Sequence, residues 1–328
     1  MTLVRERRHQ RALRLSLPAA DFRHSLPFTP ETSPSPTSPD IENLSDLKKL
    51  AVLGLGNGGV VYKVSHQKTN SIYALKLLRL DHNAAFISHQ AAAREAEILK
   101  RVDSQFIVKC HAVFYTLEGE LCFVMEHMEG GSLFDVLRVR GKFSEDVISG
   151  IALRVLKGLQ YLHGMQIIHG DIKPSNLLIN AKGEVKIADF GVSRIVGGTP
   201  APCEACMGTG TCAYMSPERV DSERWSGGAD YDYYDYGFAG DVWSLGVVIL
   251  ECSVGHYPLI GMGEKPDLVA LICAICFGET LEIPETASPE FRSFVKTCLE
   301  KDWRKRGSLD KLLAHPFVNR TTSSNVII

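Results

Sequence analysis

No uninterrupted apolar run in this 328-residue sequence approaches the roughly 20 residues that a membrane-spanning helix needs. The best candidate is interrupted by Asp241 and Glu251, so no membrane span is expected. Net charge is also scarce. A formal value of -2 and a pI near 6.6 leave no broad basic surface for nucleic acid or an anionic bilayer. No secretory apolar core follows Met1 and no internal repeat is visible. The nine cysteines are therefore expected as free thiols in a reducing compartment rather than as a disulfide scaffold.

What is present is apolar material, 45% of the residues, enough to bury a substantial core, with a length that suggests about two domains. Two C-x-x-C pairs occur, Cys203/Cys206 and Cys273/Cys276. Zinc is the sharper reading of such pairs. The second, however, lies in an apolar run from Leu268 to Phe277 that reads as a buried helix, where cysteine is common, and the first lies in a Gly/Pro-rich loop. Charge is unevenly placed, with Arg5, Arg7, Arg8, Arg11 and Arg14 crowded at the start of a chain that is otherwise mildly acidic.

The stretch Pro27–Asp40 is dense in Pro, Ser and Thr and is expected to be a disordered linker. After it, alternating β-branched residues broken by glycine clusters and a Lys68-Thr69-Asn70 turn predict a hairpin-rich sheet. Residues 84–101 have helix-forming composition, and helical spacing recurs from Ser144 to Gly164 and from Asp241 to Gly255. A strand-rich half followed by a helix-rich half is the expected α+β architecture.

Gly54, Gly56 and Gly59 form G-x-G-x-x-G, a motif shared by two kinds of phosphate site. In a dinucleotide fold the third glycine opens a helix. Here the residues from Val60 onward continue as a strand through Val61, so the glycines are expected in a hairpin over phosphates, where backbone N–H groups can approach an anion. The next strand places Lys76 within reach of phosphates, and the helix after it offers Glu95 and Glu97 as acids to orient that lysine. "HGDIKPSN" and "ADFGVS" follow in order.

With those four motifs in sequence, the chain resembles the eukaryotic protein kinase family over about residues 47–317. The resemblance implies a bilobal fold, a β-rich N-lobe over 47–128 and a helical C-lobe over 129–317, with a tail at 318–328. It implies ATP in the cleft, beneath Leu53, Gly54, Gly56, Gly59 and Val61, beside a gatekeeper Met125 and a hinge from Glu126 to Met128. Asp171 would accept the substrate hydroxyl proton, Lys173 would steady the transferring group, and Asn176 and Asp189 would hold Mg²⁺. Lys76, paired with Glu95, would meet the phosphates. The resemblance also pairs Glu218 of "YMSPER" with Arg306, and has Asp241 brace the catalytic-loop backbone.

"VMEHMEGGSL", "GTCAYMSPERV" and the N-terminus together resemble a plant MAP kinase kinase of the short-armed branch. On that resemblance residues 1–26 are a docking arm and 27–46 a linker. Arg5, Arg7, Arg8 and Arg11, followed by Leu13, Leu15 and Leu17, would engage an acidic patch and an apolar groove on a MAP kinase. An organelle transit peptide, with Glu6 counting against it, and a merely solvated arm are the competing readings. The implied activity is dual-specificity transfer to the Thr and Tyr of a MAP kinase activation loop, with an upstream MAP kinase kinase kinase as a further partner. Cytoplasm is the expected compartment, with the nucleus open. A kinase-shaped adaptor with weak catalysis is the alternative.

Two departures from the family's pattern stand out. Gly170 occupies the place of an arginine that generally pairs with a phosphorylated residue of the activation loop. The expected Ser/Thr-x5-Ser/Thr pair is also missing. Counted back from Gly210 its positions hold Met207 and Ala201; counted forward from Asp189, Thr199 fits the first site, but Ala205 stands six residues on. An arginine beside Asp171 with no phosphate to meet would be a costly unpaired cation, and Gly170 removes that cost.

Overall fold

The computed structural model describes residues 41–56, 59–79, 86–116, 119–196, 210–221, 233–259, 268–278 and 283–320. Five antiparallel strands form the first sheet of the described residues: β1 (Leu47–Gly56), β2 (Gly59–His66), β3 (Ile72–Arg79), β4 (Cys110–Tyr115) and β5 (Glu120–Glu126), in the order β1-β2-β3-β5-β4. The β2–β3 connection closes through the expected Lys68-Thr69-Asn70 turn, in which Asn70 takes a left-handed φ of 59°. Gly59 is required by contact. A Cβ on it would lie 1.9 Å from the Leu77 carbonyl oxygen, and its φ is +118°. The sheet packs its own small core, in which Val64, Leu75, Cys122 and Val124 are buried.

Helix α1 (Phe86–Arg101) interrupts the sheet between β3 and β4. Ala92, Glu95, Ala96 and Leu99 form its buried stripe at helical spacing. Below the sheet come β6 (Gly131–Ser132), α2 (Leu133–Arg140), α3 (Glu145–Gly164), β7 (Ile167–Ile168), β8 (Leu177–Ile179), β9 (Val185–Ile187) and β10 (Arg194–Ile195). Helices α4 (Pro217–Val220), α5 (Tyr233–Val254), α6 (Leu268–Cys276), α7 (Pro289–Cys298) and α8 (Leu309–Leu313) follow. Ser132 starts α2 with a capping box, its hydroxyl accepting from the Asp135 N–H and the Asp135 carboxylate accepting from the Ser132 N–H.

Helices α3 and α5 form the centre of the large lobe. Ile148, Ile151, Val155, Leu159 and Leu162 of α3 and Leu245, Val248 and Ile249 of α5 are fully buried or nearly so. The stretch Gly237–Val254 of α5 is long and apolar enough to cross a membrane by length and composition, but it is the packed core helix of this lobe. α5 begins at Tyr233, eight residues before the start expected from apolar spacing. Helix α6 also differs from expectation. Ile275 and Cys276 are buried, whereas Val269, Cys273 and Phe277 lie exposed along one side. The architecture is the expected α+β arrangement of a sheet lobe over a helical lobe.

Candidate active site

Lys76 stands in the middle of β3, opposite Val61 on one side and Phe123 on the other. Its ammonium makes ion pairs of 2.6 Å with Glu95 Oε1 and 2.8 Å with Asp189 Oδ1, joining β3, α1 and the segment after β9. Only Glu95 of the two expected acids reaches it. Residues 95 and 97 lie some 200° apart around a helix, so one lysine cannot meet both. Glu97 instead pairs with Arg101 at 2.5 Å on the exposed side. Burial works against the Lys76 charge, but Asp189 and Glu95 together raise its pKa above the ordinary lysine value. Partial burial opposes ionisation of Asp189, yet the Lys76 ammonium holds that carboxyl below its usual range.

The loop between β7 and β8 is fixed mainly through its backbone. Asp241, fully buried in α5, accepts from the N–H of His169 at 2.9 Å through Oδ2 and from the N–H of Gly170 at 2.7 Å through Oδ1. His163 Nε2 also meets Oδ2 at 2.9 Å. Burial alone would raise the Asp241 pKa; His163, His169 and the Gly170 N–H lower it. The His169 ring donates from Nε2 to the Ala188 carbonyl and accepts at Nδ1 from the Asp171 N–H, each at 3.2 Å.

Asp171 Oδ2 receives Lys173 Nζ at 2.8 Å and Asn176 Nδ2 at 2.8 Å, and Asn176 Nδ2 also donates to the Asp171 carbonyl at 2.9 Å. The Asn176 carbonyl accepts from the Ala188 N–H at 2.9 Å, which brings Asp189 alongside. Asp189 has φ 67°, a left-handed backbone that costs a non-glycine residue about 1–3 kcal/mol and collects at functional sites. Its side chain stays 46% exposed while still holding Lys76. Among the described residues no group of three or more His, Cys, Asp or Glu side chains could hold a metal ion by itself.

Between the lobes Val108, Met128 and Ala188 form a buried apolar cluster, with Met125 and Leu178 packed against it. Leu53 is half exposed on β1, Gly54 is paired across the hairpin with Val61, and Gly56 with Gly59. The Glu126 carboxylate accepts from Lys186 of β9 at 2.7 Å through both oxygens and from the Lys109 N–H at 2.7 Å. Val108, Leu178 and Lys186 were not singled out from the sequence. Leu178 lies two positions after Asn176, but Asn176 ends the 3-10 turn before β8, so strand alternation does not mark Leu178 in the sequence.

Farther down, Glu218 and Arg306 form a bidentate pair at 2.6 and 2.9 Å with both side chains fully buried, as expected. Arg219, the next residue, reaches from α4 to the Gly170 carbonyl at 2.6 Å. It too was missed as a separate feature, although it stands inside the quoted "YMSPER". Thr199, Ala201, Met207, Cys203, Cys206 and the arm residues Arg5, Arg7, Arg8, Arg11, Leu13, Leu15 and Leu17 lie outside the described residues.

Such an arrangement can neutralise polyphosphate with Lys76, present Asp171 to a hydroxyl, and offer Asn176 and Asp189 oxygens to a cation. Comparison with known proteins agrees. The family described as "Protein kinase domain" matches residues 47–318. Mitogen-activated protein kinase kinase 10 of Arabidopsis thaliana is 55% identical over 97% of this chain and 99% of its own length. Mitogen-activated protein kinase kinases 9 and 7 of the same plant are 49% and 46% identical over 97% and 98% of this chain and 99% and 100% of their own lengths. The chain belongs to the protein kinase family of transferases and, within it, groups with the plant MAP kinase kinases.

Proposed function

We propose that the protein transfers the γ-phosphate of ATP to the Thr and Tyr of a MAP kinase activation loop, and that it does so without the usual Ser/Thr-x5-Ser/Thr phosphorylation. The observation that carries this reading is the Lys76–Glu95–Asp189 linkage, at 2.6 and 2.8 Å, closed beside an intact Asp171. A chain kept only as a scaffold has no need to align these charges.

In this reading Lys76 binds phosphate oxygens and Glu95 orients it. Met125 and Met128, with Leu178 and Ala188, wall the adenine, and the hinge from Glu126 to Met128 meets it with backbone groups, while the Glu126 carboxylate is held by Lys186. Leu53, Gly54, Gly56, Gly59 and Val61 cover the phosphates. Asp171 accepts the substrate hydroxyl proton, and Lys173 beside it offsets charge near the transferring group. Asn176 spends its amide nitrogen on Asp171, which leaves its side-chain oxygen, with the Asp189 carboxylate, for Mg²⁺. Two protein donors suit Mg²⁺, which completes its shell with phosphate oxygens and water. Bound there, Mg²⁺ neutralises charge on the phosphates. The basic, leucine-bearing arm docks the MAP kinase, and an upstream MAP kinase kinase kinase is a further partner of the same cascade.

The rival reading, an adaptor that holds a MAP kinase with little catalysis, is favoured by Gly170 and by the missing phosphorylation pair. The bacterially produced chain, mixed with labelled ATP and catalytically dead MAP kinases, separates the two. Label on the Thr and Tyr that disappears with Asp189→Ala supports the enzyme. Binding of the MAP kinase with no label in either protein establishes the adaptor.

A further inference from the structure

Position 170 carries no side chain, yet its backbone is held at both ends. The N–H donates to Asp241 Oδ1, and the carbonyl accepts from Arg219 Nη1 at 2.6 Å. The Asp171 N–H, on the far side of the same peptide plane, donates to His169 Nδ1. Because a peptide is planar, fixing its carbonyl oxygen and its N–H fixes the plane from which the Asp171 side chain departs.

The guanidinium stands near where a side chain at 170 would begin. A Cβ added there would lie 3.7 and 3.8 Å from Arg219 Nη2 and Nη1. The Arg219 stem crosses the backbone of Gly240, where an added Cβ would come within 3.3 Å of its Cδ. Gly240 immediately precedes Asp241, so one turn of α5 both lets the arginine pass and holds the Gly170 N–H. The root of the arginine is anchored too, since the preceding Glu218 is locked to Arg306.

We propose that Arg219 is a positioning residue, an internal strap from the end of the activation segment to the catalytic loop, that fixes the 170–171 peptide and so the Asp171 carboxylate. This rests on the reading of Asp171 as the base. An arginine at 170 would need an anion delivered from elsewhere. Here the cation comes from position 219 and its acceptor is a carbonyl already in the loop, so no phosphate is needed to complete the contact. A charge-assisted bond of this kind is stronger than a neutral one and needs no second event to form.

The test uses the full chain with Arg219→Met, Arg219→Lys and Gly240→Ala, reading hydrogen exchange of the peptide covering 167–176, nucleotide affinity, and kcat against KM for ATP. Arg219→Met is expected to speed exchange of that peptide about tenfold or more and to lower kcat about 10- to 100-fold, the range of a lost hydrogen bond to a charged group. Nucleotide affinity and KM for ATP stay near wild type, α3 exchange is unchanged, and Arg219→Lys recovers most of the loss. Loop exchange at the wild-type rate overturns the strap, and so does unchanged kcat in an active protein. Wild-type protein that transfers no phosphate defeats the kinase reading instead, while loop exchange still decides the strap. Should Arg219→Met fail to fold, Gly240→Ala, which crowds the arginine stem without removing its charge, is judged on the same readouts.

Discussion

Lys76 in the small lobe and Arg306 in the large lobe are both cations closed on carboxylates, and their surroundings differ. Arg306 has five donor contacts to protein oxygens: two to Glu218 and one each to the carbonyls of Ala239, Glu300 and Lys301. Neither its side chain nor that of Glu218 is exposed at all. Lys76, by contrast, shares its charge between Glu95, almost fully buried, and Asp189, whose side chain is 46% exposed. The saturated pair has nothing left to offer a ligand and serves only to hold α4 against the loop after α7. The open pair keeps one partner accessible to solvent. Burial, rather than charge or distance, separates a structural ion pair from one suited to phosphate.

That contrast is broken most severely at Arg306. Arg306→Met leaves Glu218 buried without a counter-charge, and removing one partner of such a pair costs about 3–5 kcal/mol. Urea unfolding should show that loss, and Glu218→Met with Arg306→Met should regain much of it. A double variant no more stable than the single one would mean that the carbonyl contacts, not the pair, hold this corner.

Lys76→Met should divide the two properties in the other direction. Burial already raises the Glu95 pKa, so the stranded acid can take up a proton and the fold should survive. Phosphate transfer should fall by roughly 10²- to 10³-fold, as when a positioned electrostatic group is removed from an active site. Thermal unfolding together with the transfer assay checks both halves. A variant that loses fold and activity together would make Lys76 structural as well.

How far these roles could be read from the chain depends on how local their signals are. Lys76, Asp171, Asn176 and Asp189 stand in motifs of fixed order, because one chemistry needs those groups in one place. Between Glu95 and Glu97 the family resemblance picks Glu95, whereas composition alone, without the phase of α1, leaves both open. Arg219 was visible but not interpretable, since its acceptor lies 49 residues away and is a backbone carbonyl that any residue would carry. In α6, apolar residues occur all round the helix, so no periodicity marks Val269, Cys273 and Phe277 as the exposed side. The early start of α5 runs through aromatic and glycine residues of poor helix propensity. Packing decides there: a Cβ on Gly237 would come within 2.5 Å of Ile168.

Gly170 gives a smaller and more selective effect than either cation. Its φ of +77° is a conformation that costs an L-residue about 1–2 kcal/mol, while the nearest atoms to an added Cβ stand at ordinary contact distances of 3.6–3.8 Å. Gly170→Ala should therefore lose stability by backbone strain alone, with transfer reduced only as far as the loop shifts. A loss well above that range in urea unfolding would show that the Arg219 contact had been displaced too.

The smallest effect, and the one with a pH signature, belongs to Glu251. It lies buried at the end of α5, where Tyr214 Oη donates to its Oε2 at 2.7 Å, and burial raises its pKa despite that bond. A carboxyl whose folded pKa is raised contributes stability that is full below the ordinary glutamate range and is lost as pH climbs through the raised value. Glutamine cannot ionise and still offers Tyr214 an acceptor oxygen. Glu251→Gln should therefore match or exceed the wild type in stability near neutral pH, and the advantage should shrink as pH falls toward about 4. Unfolding curves across that span decide it. A difference that does not vary with pH would mean that the Glu251 charge is compensated as well in the fold as in water, and that its resemblance to the saturated Glu218 is closer than its burial implies.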